Sequence, residues 1–137
     1  MTRANETQVG GAHYKARIQH WDFVLHNGLG YLEGCATKYI SRSRKKHESP
    51  AQDLRKAVHY LQKLEEAFRA GTVKPRTNPL RGLPLPVSGF AKENGLTDQE
   101  RLAVELVTFW ETEQDLQKVV LLLETMIDET PAPISHS

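Results

Sequence analysis

"PAQDLRKAVHYLQKLEEAFRA", residues 50–70, decides the fold. Leu54, Ala57, Val58, Leu61, Leu64 and Phe68 recur in steps of three and four. That spacing lays them along one stripe of a helix. Pro50 suits the first helical position, where a missing N–H costs nothing, and Gly71 supplies the stop. Such a stripe needs another element to bury it. The candidate lies just upstream: residues 29–46 carry Leu32, Cys35, Ala36, Tyr39 and Ile40 at helical spacing. "HESP" at 47–50 breaks that run, so the two helices are expected to pack as an antiparallel hairpin. A shorter helix is expected in "HWDFVLHNG", residues 20–28, with Asp22 in its first turn and Asn27-Gly28 as its end signal. The fold class is therefore all-α, a small helical bundle around a central hairpin.

Downstream the character changes. Residues 71–96, including "VKPRTNPLRGLPLPVSG", are rich in proline and glycine and read as a linker with no helix. "TDQE" at 97–100 is a capping box, Thr97 facing Glu100. Beyond it Leu102, Leu106, Phe109, Glu113, Leu116, Val120, Leu123 and Ile127 alternate in steps of four and three, a heptad seam with one polar interruption. Residues 97–130 are either one helix of about thirty residues or two, the second starting at "TEQD", residues 112–115. The seam calls for a partner, and a homo-oligomer through this segment is the expectation. Residues 1–9 read as a flexible arm and 131–137 as a loose tail.

The 137 residues are 26% charged and 39% AVILMFWYC, a globular balance for one domain with an appendage. No apolar run is long enough to span a membrane. The polar start "MTRANETQVGG" lacks a signal peptide's apolar core, and the single cysteine, Cys35, permits no internal disulfide. A cytoplasmic location is expected. The net charge of +1 hides an asymmetry. Residues 1–81 hold fifteen Lys/Arg against seven Asp/Glu, a net of +8; residues 82–137 hold three against ten, a net of −7. Either the first part meets an anion, or the two parts attract one another or pair between subunits.

Lys38, Arg42 and Lys45 form a line on the second helix, with Arg44 and Lys46 at its C-terminal end. Alone, this pattern reads first as a solvated, dipole-matched helix end. Asp53, Arg55, Lys56 and His59 on the next helix change the balance, because a hairpin brings them near. Cations beside one carboxylate suit a phosphate ester: the cations meet its oxygens and the carboxylate orients a cation or a Mg²⁺. Tyr14, Trp21, Tyr31, Tyr39 and Tyr60 all fall in the basic part, where a nucleobase has rings to stack on. For Trp21 and Tyr39 the first expectation is core packing. His26, His47 and His136 read as incidental, and no spacing suggests a structural zinc. There is no Walker A loop, no G-x-S-x-G elbow and no helical Glu paired three residues on with a second carboxylate.

Together "GGAHYKARIQHWDF", "GLGYLEGCATKYISRSRKK" and "DLRKAVHYLQKLEE" resemble a small domain of tailed bacteriophages, catalogued as of unknown function and sometimes labelled nucleotide kinase. The link runs through a Walker-less nucleoside-monophosphate kinase of podoviruses. The resemblance covers about residues 10–67 and falls on His13, Tyr14, Trp21, Asp22, Glu33, Gly34, Lys38, Tyr39, Arg42, Lys46, Asp53, Leu54, Lys56, Ala57, Tyr60 and Leu61. Cys35 stands where that family usually has Asn. The resemblance implies a nucleotide-binding protein acting in the host cytoplasm with ATP and Mg²⁺. Lys38, Arg42, Lys46 and Lys56 would hold phosphate, Asp53 would hold Mg²⁺ or orient a cation, and His13 would shuttle a proton. Tyr14, Lys15, Trp21, Glu33, His59 and Tyr60 would complete the ligand pocket. Gly10 and Gly11 would let His13, Tyr14 and Lys15 fold back over the hairpin. The alternative is a non-catalytic protein that sequesters a nucleotide or holds a host protein. Nucleic-acid binding ranks third, since no known module is present.

Overall fold

A computed structural model of the chain describes residues 18–45, 49–75 and 86–130. Among them lie six helices and no strand: α1 (His20–Asn27), α2 (Tyr31–Arg42), α3 (Pro50–Arg69), α4 (Val87–Glu93), α5 (Asp98–Thr108) and α6 (Glu113–Glu129). The expected arm, residues 1–9, lies outside the described residues, as do His13, Tyr14, Lys15, Lys46 and the tail.

The three helices of the basic part begin and end where their local chemistry directs. Gly28, at φ +63°, closes α1; its N–H donates to the Leu25 carbonyl at 3.3 Å and the Leu29 N–H to Val24 at 3.1 Å. That paired pattern is a left-handed helix stop favouring glycine. α2 and α3 form the expected hairpin, antiparallel because Arg42 meets Asp53 at one end while Tyr31 meets Tyr60 at the other.

The same end-to-end reasoning orders the rest. Arg44 grips Glu100 and Trp110 reaches Glu33, so α5 runs antiparallel to α2. Gln99 meets Glu129, so α6 runs antiparallel to α5. Arg69 pairs with Glu113, while Arg55 shares a groove with Ile127 and Asp128, so α6 also runs antiparallel to α3. α2, α3, α6 and α5 thus form a closed ring of four neighbours, with α4 packed on α5. α3 and α5 point the same way, so the end of α3 and the start of α5 lie at opposite ends of the bundle.

One expectation is corrected, and one left open by the sequence is decided. The 71–96 segment is not helix-free: α4 forms within it. Val87, Phe90 and Ala91 are buried, and Phe90 stacks on Phe23 of α1 with centroids 4.4 Å apart. Three apolar side chains facing one core outweigh the flanking prolines, which end at Pro86 just before the helix.

Residues 97–130 are two helices, and the heptad phase does not carry across them. Thr112 and Asp115 form a second capping box that restarts the chain at α6. On α5 the buried apolar residues are Ala103, Val104 and Val107, whereas the seam residue Leu102 is exposed. On α6 Leu116, Val119, Leu123 and Met126 are buried. α3 and α5 cover this face within one chain, so the seam does not require a second copy. No helix among the described residues is long and apolar enough to cross a membrane.

Candidate functional site

The outer face of the α2–α3 hairpin gathers most of the expected cations. Three of them surround the ring of Tyr39: Arg42 lies 4.6 Å from its centroid, Lys56 5.3 Å and Lys38 5.7 Å. No two can therefore stand more than about 11 Å apart. Cations attracted to a ring face gain about 0.5–1 kcal/mol each when exposed. Tyr39 holds them together against repulsion that would otherwise spread them.

Asp53 lies beneath two of these cations. Its side chain is 1% exposed. Arg42 Nε donates to Oδ2 at 3.3 Å, and Lys56 Nζ stands 3.7 Å from Oδ1. Oδ1 is buried without a hydrogen-bond partner. The carboxylate fixes the direction of Arg42 and Lys56 without neutralising the cluster. Three cations and one carboxylate leave two positive charges, matched to the −1.5 to −2 of a phosphate monoester near neutral pH, roughly.

Aromatic rings extend the site. Tyr60 stacks on Tyr39 with centroids 5.8 Å apart, Tyr31 meets Tyr60 edge-on at 6.4 Å, and His59 meets Tyr60 at 6.4 Å from an exposed position. A hydrogen bond with Cys35, and then negative charge on its sulfur, raise the Tyr31 phenol, and that charge chiefly raises the Tyr60 phenol, so both hydroxyls stay protonated near neutrality.

Beside Tyr31 opens a groove of about 390 Å³ between α1 and α2. Trp21, Leu25, Tyr31, Gly34, Cys35 and Lys38 are among its walls. Trp21 is 53% exposed, which corrects the expectation of core packing: the α1 core position belongs to Phe23. His20 also borders the groove. His20 Nε2 and Thr37 Oγ1 share a hydrogen bond at 2.8 Å, and the same hydroxyl lies 2.9 Å from the Glu33 carbonyl of its own helix. Burial, and then the nearby Lys38, lowers the His20 pKa from 6.5 to about 4.

Several expected residues stand elsewhere. Glu33 is nine residues from Arg42, about half a turn around the α2 axis. Its Oε2 accepts the Trp110 indole N–H at 3.0 Å, so it braces α2 against the α5–α6 junction and does not line the cation cluster. Arg55 borders a groove with Glu124 and Asp128 on the α6 side of α3. Arg44 is bound bidentately by Glu100, both contacts at 2.9 Å. Burial pushes the Glu100 carboxyl up, but Arg44 and the Thr97 amide outweigh it and hold it below its usual range.

Tyr31 was among the rings expected to stack on a base, but the groove that it forms with Leu25 and Gly34 was not expected; the side-by-side apolar residues of α1 and the α2 start were its only signal. Among the described residues no three His, Cys, Asp or Glu side chains converge to hold a metal ion. Asp53 faces cations, so its place favours orienting them over holding Mg²⁺ on its own. Compared with known protein families, curated proteins and solved structures, the chain matches none.

Proposed function

We propose that this protein binds a nucleotide or closely related phosphorylated molecule on the outer face of its α2–α3 hairpin. The observation that carries the reading is the convergence of Lys38, Arg42 and Lys56 around one tyrosine ring, with Asp53 buried beneath. Such a cluster offers a phosphate charge-assisted hydrogen bonds. The phage nucleotide-kinase-like motifs point the same way. If phosphoryl transfer occurs, these side chains position and neutralise the phosphates, with little covalent work for the protein. Mg²⁺ would then be carried largely by phosphate oxygens and water. ATP would be the phosphoryl donor.

Calorimetric titration with a panel of nucleotides tests binding, and incubation with ATP, Mg²⁺ and each nucleoside monophosphate tests turnover. Binding without any diphosphate product would support sequestration instead. That second reading is favoured by one particular: Glu33, the other carboxylate of the expected site, is occupied with Trp110 on the far side of α2. An absence of binding to every nucleotide would overturn both and leave a protein partner as the remaining reading.

A further inference from the structure

We infer that the α1–α2 groove is the seat of the guest's base, making the guest a nucleoside 5′-phosphate and not a sugar phosphate or inorganic phosphate. The inference rests on the nucleotide reading above and adds where the base sits and what it stacks on.

Four observations carry it. First, the exposed large apolar side chains among the described residues are concentrated here: Trp21 at 53%, Leu25 at 76% and Tyr31 at 76% all border this one groove. Side chains of that size left in water together usually mark a binding surface. Second, the groove is a trough between two helices, and its 390 Å³ lies in the range of small-molecule sites.

Third, the groove is continuous with the cation cluster. Lys38 lines its edge and also stands 5.7 Å from the Tyr39 ring. Tyr31 leads by way of Tyr60 to that same ring, in steps of 6.4 and 5.8 Å. A guest with an aromatic end and a phosphate end matches this order of apolar wall, shared lysine and paired cations.

Fourth, no Asp or Glu is among the described residues that line the groove. His20, the titratable ring beside it, is tied to Thr37 and neutral near pH 7. An acyl chain or a flat apolar peptide would use the trough but not the dianion-matched charge at its end. A base carrying a phosphate uses both.

Intrinsic fluorescence separates this inference from the reading beneath it. Trp21 is exposed to a ligand, whereas Trp110 is 3% exposed and bonded to Glu33. The full-length chain is titrated with nucleoside 5′-monophosphates and, in parallel, with ribose 5-phosphate. The expected result is quenching by at least one monophosphate and not by ribose 5-phosphate. That monophosphate should also bind about tenfold tighter, the effect of stacking one base on an aromatic side chain. Trp21→Ala should bring the affinity ratio towards one, and Trp21→Phe should restore most of it.

Equal affinities with silent Trp21 fluorescence would overturn the base seat while leaving phosphate binding intact. No binding of either compound would overturn the underlying reading as well. A groove filled by a second copy would show as a dimer in sedimentation that nucleotide does not disturb, and that also rejects the assignment.

Discussion

Asp53 is the residue on which the site's geometry turns. A carboxylate at 1% exposure with one oxygen lacking a donor costs free energy unless its neighbours compensate, and Arg42 and Lys56 are those neighbours. Asp53→Asn keeps the shape but sets amide hydrogens against two cations. The expected loss is about 1–3 kcal/mol of stability in denaturant melts; an unchanged midpoint would show that Asp53 does not organise the pair. Removing a cation is a different test. Arg42→Ala or Lys56→Ala should weaken nucleotide binding about 10- to 100-fold, the loss of one charge-assisted hydrogen bond, and calorimetry reads it directly. If both variants bind like the parent, the phosphate lies elsewhere. The cation stripe was legible in the sequence because helical spacing alone aligns Lys38 with Arg42. The hairpin then brings Lys56 across. Glu33 was not legible in the same way: its half-turn separation from Arg42 matters only once Trp110, 77 residues on, is known to meet it. Trp21 was misjudged because Phe23, two residues away, takes the core.

At the level of elements, local signals decide where helices start and stop, and packing decides which faces they bury. Gly28 sits at φ +63° with nothing within 4 Å of an added Cβ, so Gly28→Ala meets backbone strain and no clash. About 1 kcal/mol of destabilisation is expected, which a shift of the chemical-denaturation midpoint measures. Thr112 accepts the Asp115 N–H at 3.2 Å while Asp115 returns the bond to the Thr112 N–H at 3.1 Å. Thr112→Ala should likewise lose about 1 kcal/mol, with no change in helix content by circular dichroism, since α6 is held by its buried face. A large loss of helix would mean that α6 depends on its cap and not on α3 and α5. The hairpin and both capping boxes were plain in the sequence, being short-range patterns. The heptad seam misled because the turn at Phe109–Thr112 resets the helical phase, and a repeat counted through it joins two unrelated faces. α4 was hidden for another reason: a seven-residue helix carries too few periodic positions to stand out from its proline-rich surroundings, and only Phe23 across the core reveals its purpose.

Across the whole molecule the opposed charges of the two parts act partly as an internal clasp. Arg44 with Glu100 and Arg69 with Glu113 tie the basic hairpin to the acidic helices at opposite ends of the bundle. Acid should loosen this arrangement in two stages of the same sign. His20 titrates near 6.5 when unfolded but at about 4 in the fold. Between those values the unfolded chain takes up a proton that the folded chain refuses, so stability falls as pH drops through that window. The full effect is at most roughly 3 kcal/mol. Glu100 and Asp115 are held below their usual ranges. Arg44 and Thr97 outweigh the burial of Glu100, and the Glu111 amide leads for Asp115. Their contributions are complete above their unfolded values and drain away as pH falls through the folded ones, which extends the decline below about pH 4. Denaturant melts at steps from pH 7.5 to 3.5 should therefore show a fall that begins before any carboxylate titrates. His20→Gln keeps a hydrogen-bonding side chain for Thr37 but cannot take up a proton, so it should flatten the upper stage and leave the lower one. Identical slopes in variant and parent would place the early loss on another group and remove His20 from the account of how α1 is held to α2.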